Sequence, residues 1–242
     1  MIAKEISNYQ IISLLGEGGM GKVYLAEHTI LKRKVAIKVL KPELSQNIDL
    51  RKRYINEAQI LSKLSHQNII TLFEFLVIEG NLYIIMEYAE GRTLSNIISS
   101  DPNYLNPDRC RQIFYKILDG FSYAHNEGII HRDVKPSNII IQSNGNPKLL
   151  DFGIAKIIQN DKRFTVTGMK LGSILYMSPE QILGNEIDKR SDIYSLGITL
   201  FEMLTGNLPY NINDNKESDF LIQEHIVRNP LIKLRELNPS LS

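Results

Sequence analysis

His131-Arg132-Asp133-Val134-Lys135-Pro136-Ser137-Asn138 is the stretch around which the chain is organised, and a second, Asp151-Phe152-Gly153, begins thirteen residues after Asn138. Between them lie the apolar runs Ile139-Ile140-Ile141 and Leu149-Leu150, joined by Ser143-Asn144-Gly145-Asn146-Pro147. Branched apolar residues on either side of an Asn-Gly turn predict a β-hairpin. Such a hairpin brings both polar stretches to one end of a sheet. Two carboxylates, an ammonium, an amide and a guanidinium then collect there. Two carboxylates with an Asn amide suit Mg²⁺, a hard cation that takes oxygen ligands and shares them with phosphate. A carboxylate beside a lysine suits attack of a hydroxyl on phosphorus.

Composition bounds the class. The chain has 242 residues, 43% hydrophobic and 23% charged, which allows one large domain or two lobes with a sizeable core. The formal net charge of +1 gives no field that points to nucleic acid or an acidic membrane surface. Cys110 is the single cysteine, so no internal disulfide forms, in keeping with a reducing cytoplasm. The apolar run from Ile69 to Ile78 is broken by Thr71 and Glu74 and is too short to span a bilayer. Met1 to Ser7 has no long apolar core, and the reading is neither a leader nor a membrane segment. There is no internal repeat, low-complexity linker or Cys/His cluster.

Upstream, strands at Tyr9–Leu15 and Val23–Glu27 flank Gly16-Glu17-Gly18-Gly19-Met20-Gly21. G-x-G-x-x-G alone is a weak signal, because dinucleotide-binding folds use the same letters. In those folds a helix follows the glycines; here β-prone Lys22-Val23-Tyr24-Leu25 follows. A glycine hairpin lets backbone N–H groups approach phosphate closely, although a plain flexible hairpin has the same composition. In Lys34-Val35-Ala36-Ile37-Lys38-Val39-Leu40, alternation sets Val35, Ile37 and Val39 on one face and Ala36 and Lys38 on the other. A lysine in such a strand commonly points to solvent. Asp49 to Leu64 reads as a helix on the spacing of Leu50, Tyr54, Ala58, Leu61 and Leu64, with Glu57 beside the apolar stripe. Thr71–Val77 and Leu82–Glu87 form a further strand pair.

Downstream, Asn106-Pro107-Asp108 starts a helix whose stripe is Cys110, Ile113, Phe114, Ile117, Leu118, Phe121 and Ala124, closing near Gly128. Cys110 reads as a small buried hydrophobe. Lys189–Thr205, with Ile193, Tyr194, Leu196, Ile198, Leu200, Phe201, Met203 and Leu204, is apolar on all sides, and Gly206 ends it. Asp192 at its start needs partners if buried, or is a plain cap. Ser218–Val227 reads as one more helix.

The pattern H-R-D-x-K-x-x-N fixes five letters, and its chance appearance in a chain of this size is roughly one in ten thousand. With D-F-G, V-A-I-K and the glycine pattern it resembles the protein kinases, in particular the bacterial Ser/Thr branch, from about Tyr9 to at least Tyr210. The resemblance implies an α+β, bilobal fold: a small antiparallel sheet lobe with one main helix (1–87), a hinge at about 87–91, and a mostly helical lobe (88–242). Family members continue with further helices, including an Arg that pairs with the Glu of A-P-E. The expectation is therefore a catalytic domain truncated in its second lobe, with Glu180 lacking that partner.

The same resemblance implies the roles. Asp133 orients the substrate hydroxyl and accepts its proton, and Lys135 neutralises the transferred phosphoryl group. Asn138 and Asp151 hold Mg²⁺, with Mn²⁺ as a substitute. Lys38 binds the α- and β-phosphates of ATP and pairs with Glu57 in the active form. Leu15, Gly16, Gly18, Gly21 and Val23 cover the nucleotide; Glu87 and Ala89 meet adenine through their backbone; Met86 limits the pocket behind it; Ala36 and Ile140 sandwich the ring. His131 stacks on Phe152, and Asp192 accepts backbone N–H groups near His131 and Arg132. Ser178-Pro179-Glu180 departs from A-P-E by one small residue, and Ser173 stands where Thr is more frequent. Thr167 and Thr165, in the segment from Asp151 to Glu180, are the candidates for autophosphorylation. Their phosphate would pair with Arg132 and Lys156. The implied substrates are Ser and Thr hydroxyls of proteins, with a homodimer as a route to autophosphorylation and the cytoplasm as the setting. Rival readings are a nucleotide-holding scaffold and a small-molecule phosphotransferase of related fold; the S-P-E ending and the Asp192 helix favour proteins as substrates.

Overall fold

The computed structural model describes residues 5–19, 21–42, 48–101, 104–152, 171–210 and 218–239, with the side chains at 48–50, 53, 57 and 171 outside that description. The first lobe is one antiparallel sheet in the order β1-β2-β3-β4-β6-β5: β1 Glu5–Ile6, β2 Tyr9–Glu17, β3 Gly21–His28, β4 Lys34–Leu40, β5 Leu72–Ile78 and β6 Asn81–Glu87. Helix α1, Ile48–Leu61, leads from β4 towards β5. β4 is paired on both edges, by β3 and β6, and apolar residues pack on both its faces. Val35 and Ile37 join Tyr9, Ala26 and Ile85 on one side; Ala36 and Leu40 join Tyr54, Leu61 and Met86 on the other. Alternation assigned these faces correctly, but neither face is wet. Lys38 is only 5% exposed, so the solvent-pointing reading of this lysine is ruled out.

The β2–β3 hairpin pairs as far as Glu17 with Lys22, so the glycine loop is tighter than its sequence pattern. Register shifts fall between Ile11 and Ser13 and between Leu14 and Gly16, and Ile12, Leu14 and Leu15 are exposed. The glycines divide by role. A Cβ on Gly16 or Gly18 would meet nothing within 4 Å, whereas one on Gly21 would lie 1.9 Å from the Val39 carbonyl oxygen. Gly21 is thus required by the β3–β4 contact itself. Gly21→Ala is expected to destabilise the fold by about 2–3 kcal/mol through the forced strand shift. Urea unfolding measures this, and an unchanged midpoint contradicts it.

The second lobe begins with β7, Gly91–Thr93, which pairs with β8, Ile139–Gln142; β8 pairs in turn with β9, Pro147–Leu149. The helices are α2 Leu94–Ser100, α3 Pro107–Asn126, α4 Leu171–Ile174, α5 Pro179–Ile182, α6 Lys189–Thr205, α7 Asp219–Arg228 and α8 Leu234–Leu237. The Asn106 side chain accepts from Arg109 N and caps α3, and Ser218 caps α7. Along α3, Cys110, Ile113, Ile117, Phe121 and Ala124 are buried as expected, but Leu118 is exposed on the flank of the stripe. Ile193 is likewise 57% exposed, so α6 has an open side at its first turn and is not apolar on all sides. Gly206 ends α6 at φ 70°, a left-handed cap that favours glycine. Burial pushes the Cys110 thiol up to about 11, and its Sγ lies against the Met203 carbonyl at 3.4 Å, which suits the structural reading.

One apolar cluster runs through both lobes, from Ala36 and Tyr54 to Phe121 and Met203. At the rear the lobes also share backbone. Ile70 N donates to Leu149 O (2.9 Å), Leu149 N to Asn68 O (2.8 Å), and the Asn68 amide to Pro147 O (2.9 Å). Lys148 Nζ reaches Glu87 at 2.6 Å, tying the end of β6 to β9.

Candidate active site

The β8–β9 hairpin sets the geometry. Its register, Ile139 with Leu149, continues one step past the strands through Leu150 N donating to Asn138 O at 2.9 Å. That step brings Asn138 beside Asp151. Before β8 the chain makes a single 3₁₀ turn, Pro136–Asn138, which folds Asn138 back onto Asp133. The Asn138 amide Nδ2 donates to the Asp133 carbonyl (2.8 Å) and to its Oδ2 (3.0 Å). Lys135 Nζ sits on both Asp133 oxygens at 2.9 and 2.8 Å and reaches Ser173 Oγ at 2.7 Å. The hydroxyl retained at position 173 therefore meets the lysine.

Lys38 Nζ donates to Asp151 Oδ2 at 2.8 Å, which closes the cleft between β4 and the loop after β9. Burial pushes the Asp151 carboxyl up, but the Lys38 ammonium and its hydrogen bond, aided by His131 and Lys135, outweigh this and hold it below the usual carboxylate range. Glu57 lies in α1, and its side chain is outside the described residues, as are Gly153, Lys156, Thr165 and Thr167. Among the described side chains the partner of Lys38 is thus Asp151.

Two of the five non-glycine residues with positive φ among the described residues lie here. Arg132 (φ 69°) and Asp151 (φ 55°) are both left-handed without being glycine, each at a cost of about 1–3 kcal/mol. The packing around them is what holds these conformations. Asp192 is 1% exposed and accepts from His131 N (2.9 Å), Arg132 N (2.8 Å) and His125 Nε2 (2.7 Å). The cap of α6 is Asp188, accepting from Arg190 N, so Asp192 is free for the catalytic loop. His131 donates from Nε2 to Leu150 O (2.7 Å) and accepts at Nδ1 from Asp133 N (3.3 Å), a pair of bonds that fixes its tautomer. Its ring lies 4.5 Å from that of Phe152 at 58°, a tilted contact, with Phe121 behind both.

Of the residues expected around a nucleotide, Ala36, Met86 and Ala89 are buried and Val23 and Ile140 are partly buried. Behind Met86 a small apolar cavity of about 40 Å³ is lined by Leu61, Ile84, Leu149 and Phe152 and reaches Asp151. Among the described residues Glu180 accepts from Ser191 Oγ at 2.5 Å, a neutral donor and not the arginine that family members supply.

Among the described residues no group of three or more His, Cys, Asp and Glu is arranged to hold a metal. Asn138 and Asp151 nevertheless fit one divalent cation as part of a ligand set. With Nδ2 spent on Asp133, the Asn138 amide oxygen is its remaining donor atom, and Lys38 occupies only one of the two Asp151 oxygens. Two hard oxygens in this arrangement suit a cation that draws its other ligands from phosphate and water.

Three functional contacts were missed in the sequence: His125 on Asp192, the Glu87–Lys148 pair, and Gln181, whose Nε2 donates to Arg132 O at 2.8 Å. The first two join residues more than sixty positions apart and leave no local pattern. The third had one, since S-x-x-Q at Ser178–Gln181 is a capping-box spacing.

A two-lobed fold whose cleft opposes two lysine-paired aspartates defines a protein kinase domain, and the chain belongs to that family. The protein kinase domain profile matches residues 9–241. The chain is 43% identical over 212 residues to the serine/threonine-protein kinase PrkC of Bacillus subtilis, covering 87% of this chain and 32% of that protein. It is 42% identical over 213 residues to PksC of Streptomyces coelicolor, also a serine/threonine-protein kinase, covering 84% and 38%. It thus spans about a third of the length of these curated relatives. The Mycobacterium tuberculosis PknI kinase domain has the same fold, with a TM-score of 0.72 at 25% identity over 100% of this chain and 87% of that one. No helix among the described residues is long and apolar enough to cross a membrane.

Proposed function

We propose that this chain transfers the γ-phosphoryl group of ATP to serine and threonine hydroxyls of proteins. The observation that carries this reading is the pairing of Asp133 with Lys135 and of Asp151 with Lys38 within one cleft, at 2.8 Å each. Asp133 aims the incoming hydroxyl and takes its proton. Lys135 meets the charge that builds on the phosphoryl oxygens, and Lys38 meets the α- and β-phosphates. Asn138 and Asp151 would hold magnesium, or manganese in its place, which supplies charge neutralisation between the β- and γ-phosphates when bound. Glu57 orients Lys38 in the active form. Little covalent chemistry is asked of the protein beyond positioning.

Adenine lies between Val23 and Ala36 above and Ile140 below, against the backbone of Glu87 and Ala89, with Met86 behind and Leu15 at the mouth. Gly16 and Gly18, with no neighbour to a Cβ, leave room for backbone N–H groups over the phosphates. On this reading residues 1–87 form the nucleotide lobe, 88–242 the catalytic lobe and 87–91 the hinge. The full set of charged groups favours turnover over a nucleotide-holding scaffold. Thr167 and Thr165 are the proposed autophosphorylation sites, reached in trans within a homodimer.

The test is incubation of the purified chain with labelled ATP, Mg²⁺ and a general protein acceptor, followed by phosphopeptide mapping. Label on Ser and Thr of the acceptor, and on Thr167 or Thr165 of the chain, is expected. ATP bound without transfer to any protein would favour the scaffold.

A further inference from the structure

We infer that Tyr54 is a positioning residue for Asp151, its hydroxyl taking over the carboxylate oxygen that Lys38 gives up when the lysine turns to the phosphates; the inference rests on the kinase reading above. Tyr54 lies in α1 and is only 1% exposed. It belongs to the cluster that holds Ala36 and Leu40, which flank Lys38 on one face of β4, and Phe152, next to Asp151. Tyr54, Ala58 and Leu61 share the buried side of α1, and Leu61 lines the cavity that reaches Asp151. Among the described residues the Tyr54 hydroxyl has no hydrogen-bond partner. A buried hydroxyl left unpaired costs stability, and phenylalanine would fill the same space without that cost. Burial and the negative charge of Asp151 push the hydroxyl's pKa up, so it stays protonated and meets a carboxylate as a donor.

Asp151 has the matching need. Its Oδ2 accepts from Lys38 Nζ at 2.8 Å, and that contact helps hold the carboxyl ionised against burial. In turnover Lys38 meets the α- and β-phosphates and pairs with Glu57, so Oδ2 loses its donor. Asp151 is also strained, at φ 55°, and such a residue keeps its place only while its surroundings hold it. Tyr54 is thus a donor without an acceptor beside an acceptor that must change donors. Transfer of the hydrogen bond from Lys38 Nζ to the Tyr54 hydroxyl keeps Oδ2 occupied and leaves the other oxygen for the cation.

A double-mutant cycle with Lys38→Met tests this without turnover. In the parent chain Lys38 occupies Oδ2, so Tyr54→Phe removes only an unpaired hydroxyl, and the melting temperature is expected to rise by about 3 °C. In the Lys38→Met background Oδ2 is open to the hydroxyl, and the same substitution is expected to lower the melting temperature by about 3 °C. A tyrosine that merely fills space gives the same shift in both backgrounds, and that result overturns the inference. In the active chain Tyr54→Phe is expected to lower kcat about fivefold and to raise the Mg²⁺ concentration for half-maximal rate about threefold; parental values of both overturn it. If the parent chain transfers no phosphate, the kinase reading fails and the cycle still decides the role of Tyr54. If Lys38→Met does not fold, calorimetric titration of Mg·ADP into the parent and Tyr54→Phe decides. Binding about threefold weaker in the variant supports the transfer of the bond, and equal binding overturns it.

Discussion

Asp133→Asn is expected to lower kcat by about a thousandfold while the protein stays folded and still binds ATP, the effect of removing a positioned base. The substitution keeps the shape of the side chain but removes its charge. Asp133 Oδ2 accepts from both Lys135 and Asn138, at 2.8 and 3.0 Å. In the variant one oxygen becomes an amino group, which accepts nothing. With that group at Oδ1 a single Lys135 contact is lost, and Oδ2 still accepts from Lys135 and Asn138. The local fold is therefore held, while the proton of the incoming hydroxyl has no destination. Transfer of labelled phosphate, nucleotide titration and thermal melting on the same preparation separate these effects. Retention of more than a tenth of parental turnover would remove Asp133 from the role of base.

Asp192→Ala is expected to be the largest single loss of stability, about 3–5 kcal/mol, because it strands buried donors that have no water to turn to. Three donors are left: two backbone N–H groups of the catalytic loop and His125 Nε2. For a chain of this size the melting temperature should fall on the order of 10 °C. Asp188, which caps α6, is untouched, so loss of the cap does not account for the effect. A fall of less than about 2 °C would show that the loop does not lean on this carboxylate. Stability should also depend on Asp151. Its pKa is depressed in the folded protein, so its contribution is present above the unfolded value near 4 and is lost as pH falls through the folded value.

Much of this was legible because it is local or periodic. The hairpin from Ile139 to Leu149 follows from branched residues around a turn, and the α3 start follows from Asn106 and Pro107. The roles expected of the aspartates and lysines came from the resemblance to the protein kinases. What was not legible depends on neighbours distant in sequence. Alternation alone leaves Lys38 facing solvent, because it cannot see what packs over a strand's second face; the resemblance to the kinases is what turned the reading towards phosphate. Leu118 and Ile193 looked buried because helical spacing marks a stripe but not its width. Asp192 was foreseen, but its histidine was not, since nothing near His125 in the chain signals an acid sixty-seven positions away. Glu57, Thr165 and Thr167 stand as the sequence left them.

The shared hydrogen bonds of Asn68 and Ile70 with Pro147 and Leu149, together with the Glu87–Lys148 pair, have a mechanical meaning. They act as a pivot at the back of a jaw. Movement that widens the space between Lys38 and Asp151 must swing the Gly16–Gly18 rim outward while the rear stays shut. On the proposed function, nucleotide would enter and leave by the front lip, and stiffness at the pivot would govern how far that lip can gape.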